Sequence, residues 1–375
     1  MIQLQKITLR EIHLPLREPF EISSGVVSER RILLLQLREA EGYVSWAECV
    51  ADEQPNYSPE TIDTAWHAIK EWIAPRVLGK TFAHPAGVHA LLEKNFRGHN
   101  MAKAAVEMGM WELAARKQNL SLSKFLGGTR TSIATGISLG IQKSPEMLAE
   151  KARACLAQGY RKIKVKIKPG TDVENVRAVR EALGPDAPMM ADANNAYTLQ
   201  DIGTLKRLDD FSLIMIEQPL AWDDIIRHAT LQQQLKTPIC LDESITSLEK
   251  AEDMAALDSG KIINIKPGRV GGFAAALAIH DFCAKNNIPV WCGGMLESGI
   301  GRAYNVALAS LPNFLLPGDL SPSARYWERD IITPEWTMDQ HGMVTVPQEQ
   351  PGMGVQVNLD RIDNLTVRCE TIPAK

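Results

Sequence analysis

The feature that most constrains the fold is a regular alternation of short β-branched runs with helical segments, between residues 134 and 294. Parallel βαβ units have this rhythm, because a crossover helix must return the chain before the next strand can pair. A doubly wound sheet and a closed barrel both fit, and so many equal units in series favour the barrel. The seven runs are ATGISLG, KIKVKIK, PMMADAN, SLIMIEQP, TPICLDES, KIINIKPG and IPVWCGG.

Within five successive runs, the predicted strand finishes on a charged residue, namely Lys166, Asp192, Glu217, Asp242 and Lys266. Their separations are 26, 25, 25 and 24 residues, so the five positions are equivalent in successive units. The carboxyl ends of barrel strands all open onto one face, where active sites lie. The sequence therefore predicts that five ionisable side chains converge at the mouth of the barrel.

The order of these five residues suggests a chemistry. Asp192, Glu217 and Asp242 follow adjacent strands, where their mutual repulsion requires a cation. Oxygen ligands without nearby histidine or cysteine favour Mg²⁺, or Mn²⁺, over zinc. Lys166 and Lys266 follow strands four apart in a ring of eight, so their amines face each other. This arrangement suits removal of a proton next to a carboxylate, with the ion as Lewis acid and a lysine as base.

A row of lysines occupies alternate positions of the second run, at residues 162, 164, 166 and 168. Alternate residues of a strand share one face, and taken alone such a row is more typical of a solvated edge. If the row points into the barrel, Lys164 is expected to depress the pKa of Lys166 and so help it to act as a base.

The first part of the chain has strands before helices, which predicts an α+β unit over residues 1–125. The strands are expected in QLQKITLREI and RRILLLQLREAEGYVSWAE, with a hairpin turn at EGY and a loop over residues 16–28. Helices are expected in SPETIDTAWHAIKEWIAPRVLG, capped by Ser58 and Pro59, and in MAKAAVEMGMWELAARKQN. The barrel is assigned to residues 126–320, and an extended segment over 321–375 is expected to return to the first domain.

Composition excludes several classes of protein. A net charge of −4 and a pI near 6.1 argue against a nucleic-acid binder, since no basic excess pairs with phosphates. The six cysteines show no paired spacing, which predicts reduced thiols and a cytoplasmic protein. No apolar stretch of about 18 residues is present, so no membrane span is expected.

At these motifs the chain resembles the enolase superfamily, and in particular its muconate-lactonising subgroup. The motifs occur in the subgroup's order: KVK at 164–166, ADAN at 191–194, IEQP at 216–219, LDES at 241–244 and NIKPGRVGG at 264–272. Within the subgroup, GGMLESGIGRA at 293–303 and LPGDLS at 316–321 are most similar to o-succinylbenzoate synthases that also act as N-succinylamino acid racemases. The similarity covers nearly the whole chain.

This resemblance implies an α/β fold, a modified (β/α)7β TIM-type barrel with an N-terminal α+β capping domain. It implies one Mg²⁺ on Asp192, Glu217 and Asp242, with Lys166 as acid and base. In the synthase reaction, Lys166 would remove the proton and help hydroxide leave from the same face, while Lys266 stabilises the enediolate. In racemisation both lysines would exchange protons. The resemblance also implies a homo-oligomer.

Other residues receive supporting roles. Asn194 either supports the metal site or belongs to a turn, and Glu243, like Ser244, either caps the next helix or holds a neighbouring lysine. A further hypothesis is that the charge of Arg269 lowers the pKa of Lys266. Ser138, Gly293, Gly294 and Met295 resemble family positions that touch substrate.

Several remaining residues have weaker assignments. Tyr57 and Val26 are candidates to face a ligand, and Tyr304 stands where the family has histidine. Three histidines are expected to be surface or packing residues, namely His13, His99 and His280.

The leading functional hypothesis is a Mg²⁺-dependent o-succinylbenzoate synthase, which dehydrates 2-succinyl-6-hydroxy-2,4-cyclohexadiene-1-carboxylate in menaquinone biosynthesis. N-acylamino acid racemisation as the main activity is the first alternative. A dipeptide epimerase or a muconate cycloisomerase is the second, although residues 319–321 supply one acid where the epimerases have a D-x-D pair. A non-catalytic metal-binding barrel is the alternative from a different class. The expected partner is a small carboxylate substrate, without nucleic acid or membrane.

Overall fold

The structure is a computed structural model that describes residues 1–22 and 25–375, except for the side chain of Ile22. Its α-helices are α1 Ile62–Ala68, α2 Ala74–Val77, α3 Ala86–Glu93, α4 Asn100–Lys117, α5 Leu122–Leu126, α6 Pro145–Ala157, α7 Asp172–Leu183, α8 Ile202–Arg207, α9 Ile226–Gln232, α10 Leu248–Leu257, α11 Pro267–Val270, α12 Phe273–Lys285, α13 Gly299–Ala309 and α14 Leu359–Leu365. A π-helical turn, Ile69–Ile73, joins α1 to α2, and short 3₁₀ turns occupy Leu199–Asp201, Leu208–Phe211 and Ser323–Arg325.

The strands follow the predicted division into a first sheet and a later parallel sheet. They are β1 Ile2–Ile22, β2 Gly25–Glu39, β3 Val44–Cys49, β4 Thr81–Phe82, β5 Ser132–Ala134, β6 Ile137–Leu139, β7 Ile163–Lys166, β8 Met189–Asp192, β9 Ile216–Glu217, β10 Ile239–Leu241, β11 Ile262–Ile265, β12 Val290–Cys292, β13 Ile332–Thr333, β14 Met343–Thr345, β15 Gln356–Val357 and β16 Thr366–Pro373.

Seven parallel strands, β6 to β12, pair in chain order and form the barrel wall. The predicted alternation of strands with helices is therefore confirmed. The segment 314–318 lies between the two ends of this sheet, because Phe314 bridges to Val290 and Gly318 bridges to Thr135. These bridges complete the ring where an eighth strand stands in a barrel. The interior is filled by an apolar cluster of Met190, Met215, Cys240, Ile262 and Trp291.

The capping domain is an antiparallel sheet in the order β16-β1-β2-β3, covered by the long helix α4. A Cβ on Gly109 of α4 would lie 3.0 Å from Leu37 and 3.3 Å from Ala47, so a glycine allows the helix to lie close to the sheet. Strand β16 pairs with β1, with Glu370 opposite Leu9, and the last strand of the chain thus belongs to the first sheet. The domain boundaries themselves stay a prediction.

The predicted loop over residues 16–28 is wrong. Strands β1 and β2 continue through most of it as a long hairpin arm, in which Phe20 pairs with Val27 and Glu21 with Val26. A register shift between Pro15 and Phe20 lets the ladder pass the two prolines of this region, which a composition-based prediction does not anticipate. Ser23 and Ser24 lie outside the described residues.

The predicted cap of the first helix is also wrong. Helix α1 starts four residues after Ser58, and its N-cap is Thr61. The Thr61 hydroxyl accepts from the backbone N–H of Thr64, and the Thr64 hydroxyl accepts from the N–H of Thr61. This reciprocal pair satisfies two free donors at once, whereas Ser58 accepts only from the N–H of Glu60.

The cysteines are reduced, and all are buried except Cys369. Over the described ranges we find no helix with the length and apolarity that crossing a membrane requires.

Candidate active site

The structure brings the five predicted charged residues together at the carboxyl ends of the barrel strands. Lys166 lies directly opposite Asp192, which lies opposite Glu217, while Asp242 and Lys266 each follow the last residue of their strands. All five are between 0% and 7% exposed. So much buried charge is stable only if the groups neutralise one another or bind an ion.

On one side of the mouth, Lys166 is held by residues of the neighbouring strand β8 and the turn after it. Its Nζ donates to Asp192 Oδ2 at 2.6 Å and to Asn194 Oδ1 at 2.7 Å. The backbone N–H of Asn194 donates to the other Asp192 oxygen at 3.0 Å, with Asn194 at φ 41°. Asn194 therefore lies in a turn and contacts both the lysine and the acid, while its support of a metal site stays a prediction.

On the other side, Lys266 Nζ lies 2.8 Å from Asp242 Oδ2 and 4.3 Å from the centre of the Tyr57 ring. The Tyr57 hydroxyl donates to Asp242 Oδ1 at 2.8 Å, and the Arg269 guanidinium binds the same oxygen. Burial opposes ionisation of Asp242, but Lys266 and Arg269 outweigh it and lower the pKa of the carboxyl. Asp242 is thus an anion shared by two cations.

The pKa of Lys266 shifts in the direction opposite to the hypothesis about Arg269. Burial alone would lower this pKa, but the Asp242 carboxylate outweighs burial and raises it above its ordinary value. Arg269 binds the other oxygen of the same carboxylate. The negative charge of Asp242 therefore compensates the positive charge of Arg269, and Arg269 does not lower the pKa of Lys266 below its ordinary value.

Lys164 lies between the two sides and deeper in the barrel, because it precedes Lys166 by two residues on β7. Its Nζ is 2.8 Å from Asp192 Oδ2, 2.7 Å from Glu217 Oε2 and 3.2 Å from Asp319 Oδ2. Burial lowers the pKa of Lys164, but the three carboxylates outweigh it and hold that pKa well above the ordinary range. Lys164 is therefore a permanent cation, and it shares its Asp192 oxygen with Lys166.

The row of lysines points into the barrel, as the catalytic interpretation requires. Lys162 is fully buried, with its Nζ 3.4 Å from the centre of the Trp291 ring and 3.3 Å from Asp319 Oδ1. Lys168, the last of the row, is 41% exposed and pairs with Glu21. The solvated-edge interpretation thus holds only for Lys168.

Asn264 is a residue of the site that sequence reasoning missed. Its Nδ2 donates to Glu217 Oε1 at 2.8 Å, and its Oδ1 accepts from the backbone N–H of Gly293 at 2.7 Å. The signal that could have found it is strand periodicity, because Asn264 lies two residues before Lys266 and shares its face.

Burial, together with the charge of Asp192, raises the pKa of Glu217 to about 8.

The three acids fit a divalent cation by their chemistry. Among the described residues, no three acidic, histidine or cysteine side chains are arranged to hold a metal as they stand, and each acid instead contacts an ammonium or guanidinium group. Glu217 Oε2 and Asp242 Oδ2 are buried, and each contacts an ammonium group, that of Lys164 at 2.7 Å and that of Lys266 at 2.8 Å. Buried carboxylate oxygens that already lie against cationic groups form an oxygen-only ligand set, which suits a hard ion such as Mg²⁺.

The predicted substrate-binding positions border the same region. Ser138 pairs in register with Lys164, and its buried hydroxyl has no hydrogen-bond partner in the structure. A Cβ on Gly293 would lie 2.6 Å from Lys266 Cε, and one on Gly294 would lie 2.9 Å from the carbonyl oxygen of Asp319. Only glycine fits at these two positions. The N–H of Met295 donates to Glu297 at 2.7 Å.

Glu243 and Ser244 do not cap the next helix, whose N-cap is Ser247. Glu243 Oε1 accepts from Asn195 at 3.2 Å, so it supports the turn that also contains Asn194. Burial, with the charge of Asp242, raises the pKa of Glu243 to about 7. The Ser244 hydroxyl accepts from Gln218 at 2.6 Å.

A cavity of about 370 Å³ separates the capping domain from the barrel mouth, and its lining includes Val26, Tyr57, Asn194 and Glu243. Both weak candidates for ligand contact, Val26 and Tyr57, therefore lie on it. A second cavity of about 300 Å³ shares Tyr57 and Glu243 and reaches His99. The site thus opens toward residues of both domains.

The remaining assignments concern packing. His13 pairs with Glu29 at the surface, and His280 accepts from the N–H of Asn313. The hydroxyl of buried Tyr304 donates to the carbonyl of Trp46 at 2.6 Å, which joins helix α13 of the barrel to strand β3 of the capping domain. The tyrosine that replaces the family's histidine therefore acts at the domain interface.

Comparison with known proteins agrees with this geometry. The family described as mandelate racemase / muconate lactonizing enzyme, N-terminal domain, matches residues 5–127, and the family described as enolase C-terminal domain-like matches residues 147–361. The chain belongs to the enolase superfamily. Its relatives place it in the o-succinylbenzoate synthase / N-succinylamino acid racemase family.

Among these relatives, an o-succinylbenzoate synthase of Bacillus subtilis is 48% identical over 96% of each chain. An N-succinylamino acid racemase of Amycolatopsis is 46% identical, over 97% of this chain and 98% of the relative. The crystal structure of an enolase superfamily member from Listeria innocua superposes with a TM-score of 0.96, at 40% identity and full coverage of both chains. Members of this superfamily generally depend on a divalent metal.

Proposed function

We propose that the protein is a Mg²⁺-dependent o-succinylbenzoate synthase, which dehydrates 2-succinyl-6-hydroxy-2,4-cyclohexadiene-1-carboxylate. The observation that carries the proposal is the placement of two buried amines, Lys166 and Lys266, on opposite sides of three buried acids. The near full-length similarity to synthases supports the choice of substrate.

Asp192, Glu217 and Asp242 would hold the ion. Mg²⁺, or Mn²⁺ in its place, would act there as a Lewis acid toward the substrate carboxylate. The ion would also compensate the acids, which would release their lysines from the ion pairs described above.

Lys166 would carry out the proton transfers. In its neutral form it would take the proton from the carbon next to the carboxylate and then give that proton to the leaving hydroxide on the same face, so that one water leaves. Asn194 would orient the amine through its hydrogen bond to Nζ. Lys266 would remain an ammonium and stabilise the negative charge that develops on the substrate, as its raised pKa favours.

Racemisation of N-succinylamino acids is the second candidate function. Two amines on opposite faces can each remove or deliver the α-proton of one enantiomer, and the racemase of Amycolatopsis is nearly as similar as the synthases. Racemisation as the main activity stays open, because both reactions use the same residues.

A dipeptide epimerase and a non-catalytic barrel have less support. The epimerase would need an acid free to bind the substrate ammonium, but Asp319 is buried and contacts both Lys162 and Lys164. Burial opposes the ionisation of Asp319, but these two amines outweigh it and lower its pKa to about 2. A non-catalytic barrel would have no use for amines on both sides of the acids.

The unpaired, mostly buried cysteines support a cytoplasmic location for the enzyme. Membership of the superfamily supports a homo-oligomer, which light scattering on the purified protein tests.

The decisive experiment measures both reactions with the purified protein and Mg²⁺. Formation of o-succinylbenzoate is followed by absorbance, and exchange of the α-proton of N-succinylamino acids in D₂O is followed by NMR. The Lys166→Ala variant should lose synthase activity, racemisation and the proton exchange of one enantiomer, whereas Lys168→Ala, from the exposed end of the same row, should retain all three. Absence of both reactions in the wild-type protein would refute the proposal.

A further inference from the structure

Two buried glutamates of the capping domain bind the amino ends of two successive barrel helices. Glu107 of α4 accepts from the backbone N–H groups of Phe273, at 2.8 Å, and Ala274, at 3.0 Å, which begin α12. Glu48 of β3 accepts from the N–H and hydroxyl of Ser298 and from the N–H of Gly301, in the first turn of α13. A carboxyl group at this end of a helix satisfies backbone donors that have no partner within the helix.

Two glycines of the barrel helices leave space for these carboxyl groups. A Cβ on Gly272 would overlap Glu107 Oε2, and one on Gly301 would lie 2.9 Å from Glu48 Oε2. Gly272 also has φ +118°, a conformation that other residues rarely adopt. Glu107 and Glu48 are 0% and 1% exposed, so both contacts are buried at the interface between the domains.

Both contacts lie on helices next to Lys266: Glu107 contacts α12, which follows Lys266 in the chain, and Glu48 contacts α13. This lysine is the N-cap of the short helix α11, which packs against α4 and continues through Gly271 and Gly272 into α12. A Cβ on Gly268 of α11 would overlap the side chain of Val50, which lies two residues beyond Glu48. The capping domain thus contacts the segment that follows Lys266 at both of its ends.

Helix α13 acts on the same side of the mouth. The loop before it contains Gly293, whose position leaves no space for a Cβ beside Lys266 Cε. Displacement of α13 would therefore move the loop against which the Lys266 side chain rests.

The Lys166 side has a different support. The first turn of helix α7, which follows the strand of Lys166, is held by its own Asp172, which accepts from the N–H of Val173 and from the hydroxyl of Tyr197. On this side the capping domain contributes the exposed pair of Lys168 with Glu21, the Glu21 carbonyl that accepts from the N–H of Ile141 at 2.9 Å, and the pair of Lys151 with Glu18. None of these contacts involves Lys166 or Asp192. Lys166 is therefore positioned from within the barrel.

We propose that Glu48 and Glu107 are positioning residues for Lys266 and not for Lys166. The inference rests on the proposed function, in which each lysine exchanges the α-proton of one enantiomer. Loss of either capping carboxyl group shifts Lys266 relative to the substrate, and a displacement of about 1 Å is enough to lower a proton-transfer rate by tenfold or more. The Lys166 half of the site keeps its geometry.

The test compares the two enantiomers of one N-succinylamino acid in D₂O. The enantiomer that faces Lys266 is identified as the one whose exchange Lys266→Ala abolishes. Glu48→Gln and Glu107→Gln keep the side-chain shape but replace one accepting oxygen with an NH₂ group, which cannot accept from a backbone N–H. Each variant should lower exchange of the Lys266-facing enantiomer by about tenfold relative to the other.

Glu112→Gln is the matched control, because Glu112 is equally buried on α4 but accepts from Met353 and Arg116 instead of a helix behind Lys266. It should leave the ratio of the two exchange rates unchanged. The ratio is insensitive to partial unfolding, which lowers both rates by the same factor. Equal losses for both enantiomers in the Glu48 and Glu107 variants, or no loss, would overturn the inference alone. Wild-type protein that exchanges neither enantiomer would overturn the proposed racemase activity and the inference with it.

Discussion

The two sides of the barrel mouth hold their lysines by different means. Lys166 is held by Asp192 and Asn194, both from the next strand and its turn. Lys266 is held by Asp242 on the adjacent strand and also lies over Tyr57, which belongs to the capping domain. Among the described residues, the hydrogen-bond partners of the Lys166 amine thus come from the barrel, whereas the Lys266 amine also contacts the capping domain.

In their charges the two sides are similar. Each outer acid is shared by two cations, Asp192 by Lys164 and Lys166, and Asp242 by Lys266 and Arg269. Each side therefore has two cations around one outer acid, although the two sides differ in the residues that position the lysine. Changes to the acids should affect both halves of the reaction, and changes to the supports should affect one.

The largest effect is expected from the acids. Asp192→Asn and Asp242→Asn each remove one oxygen ligand and one negative charge, and both should abolish Mg²⁺ binding as measured by titration calorimetry. Activity should fall on the order of 10³-fold, since the ion contributes several kcal/mol. Tight Mg²⁺ binding by either variant would exclude that acid as a ligand and break the equivalence of the two sides.

The next effect separates the two lysines. Lys166→Ala and Lys266→Ala should both abolish racemisation, because each removes the base for one face. For dehydration, Lys166→Ala should lower kcat by at least about 10²-fold, since it removes the acid and base. Lys266→Ala should lower it less, because only charge stabilisation is lost. Equal losses of synthase activity in the two variants would contradict the assigned roles.

A smaller effect is expected at Asn194. Its removal in Asn194→Ala takes away one hydrogen bond to a charged amine, which contributes about 1.5–3 kcal/mol in proteins. Exchange of the Lys166-facing enantiomer should fall by about tenfold or more, with little change for the other enantiomer. This result would mirror the Glu107 variant on the opposite side. Equal losses for both enantiomers would show that Asn194 acts on the whole site.

The placement of the barrel residues could be predicted from sequence because its signals are local. Strand ends recur every 24 to 26 residues, and the carboxyl ends of parallel strands must share a face. Alternation within KIKVKIK also predicts that Lys162, Lys164 and Lys166 share one face. Periodicity carries no information about depth, however, and so the sequence did not distinguish the solvated Lys168 from the fully buried Lys162.

The supports of Lys266 could not be predicted because their partners are distant in the chain. Glu107 binds N–H groups 166 and 167 residues away, and Glu48 binds Ser298 across 250 residues. Local patterns do not encode such contacts. The direction of the Lys266 pKa was missed for a related reason: it depends on the contact of Lys266 with the Asp242 carboxylate, which spacing along the chain does not determine.

The last effect concerns stability instead of catalytic rate, and it also distinguishes the two sides. Burial, with a smaller contribution from Glu297, raises the pKa of Glu48 from 4.5 to about 8. Between these values the unfolded chain has released the proton that the folded protein keeps, so the free energy of unfolding falls as pH rises. One such group gives a slope of at most about 1.4 kcal/mol per pH unit. The Glu48→Gln variant should therefore show a shallower decline between pH 5 and pH 8 in urea unfolding, whereas Glu349→Gln, at a 91% exposed side chain, should follow the wild type. Parallel curves for Glu48→Gln and the wild type would mean that Glu48 is ionised throughout this range. The contact of Glu48 with the first turn of α13 would then be made by a carboxylate at every pH in this range.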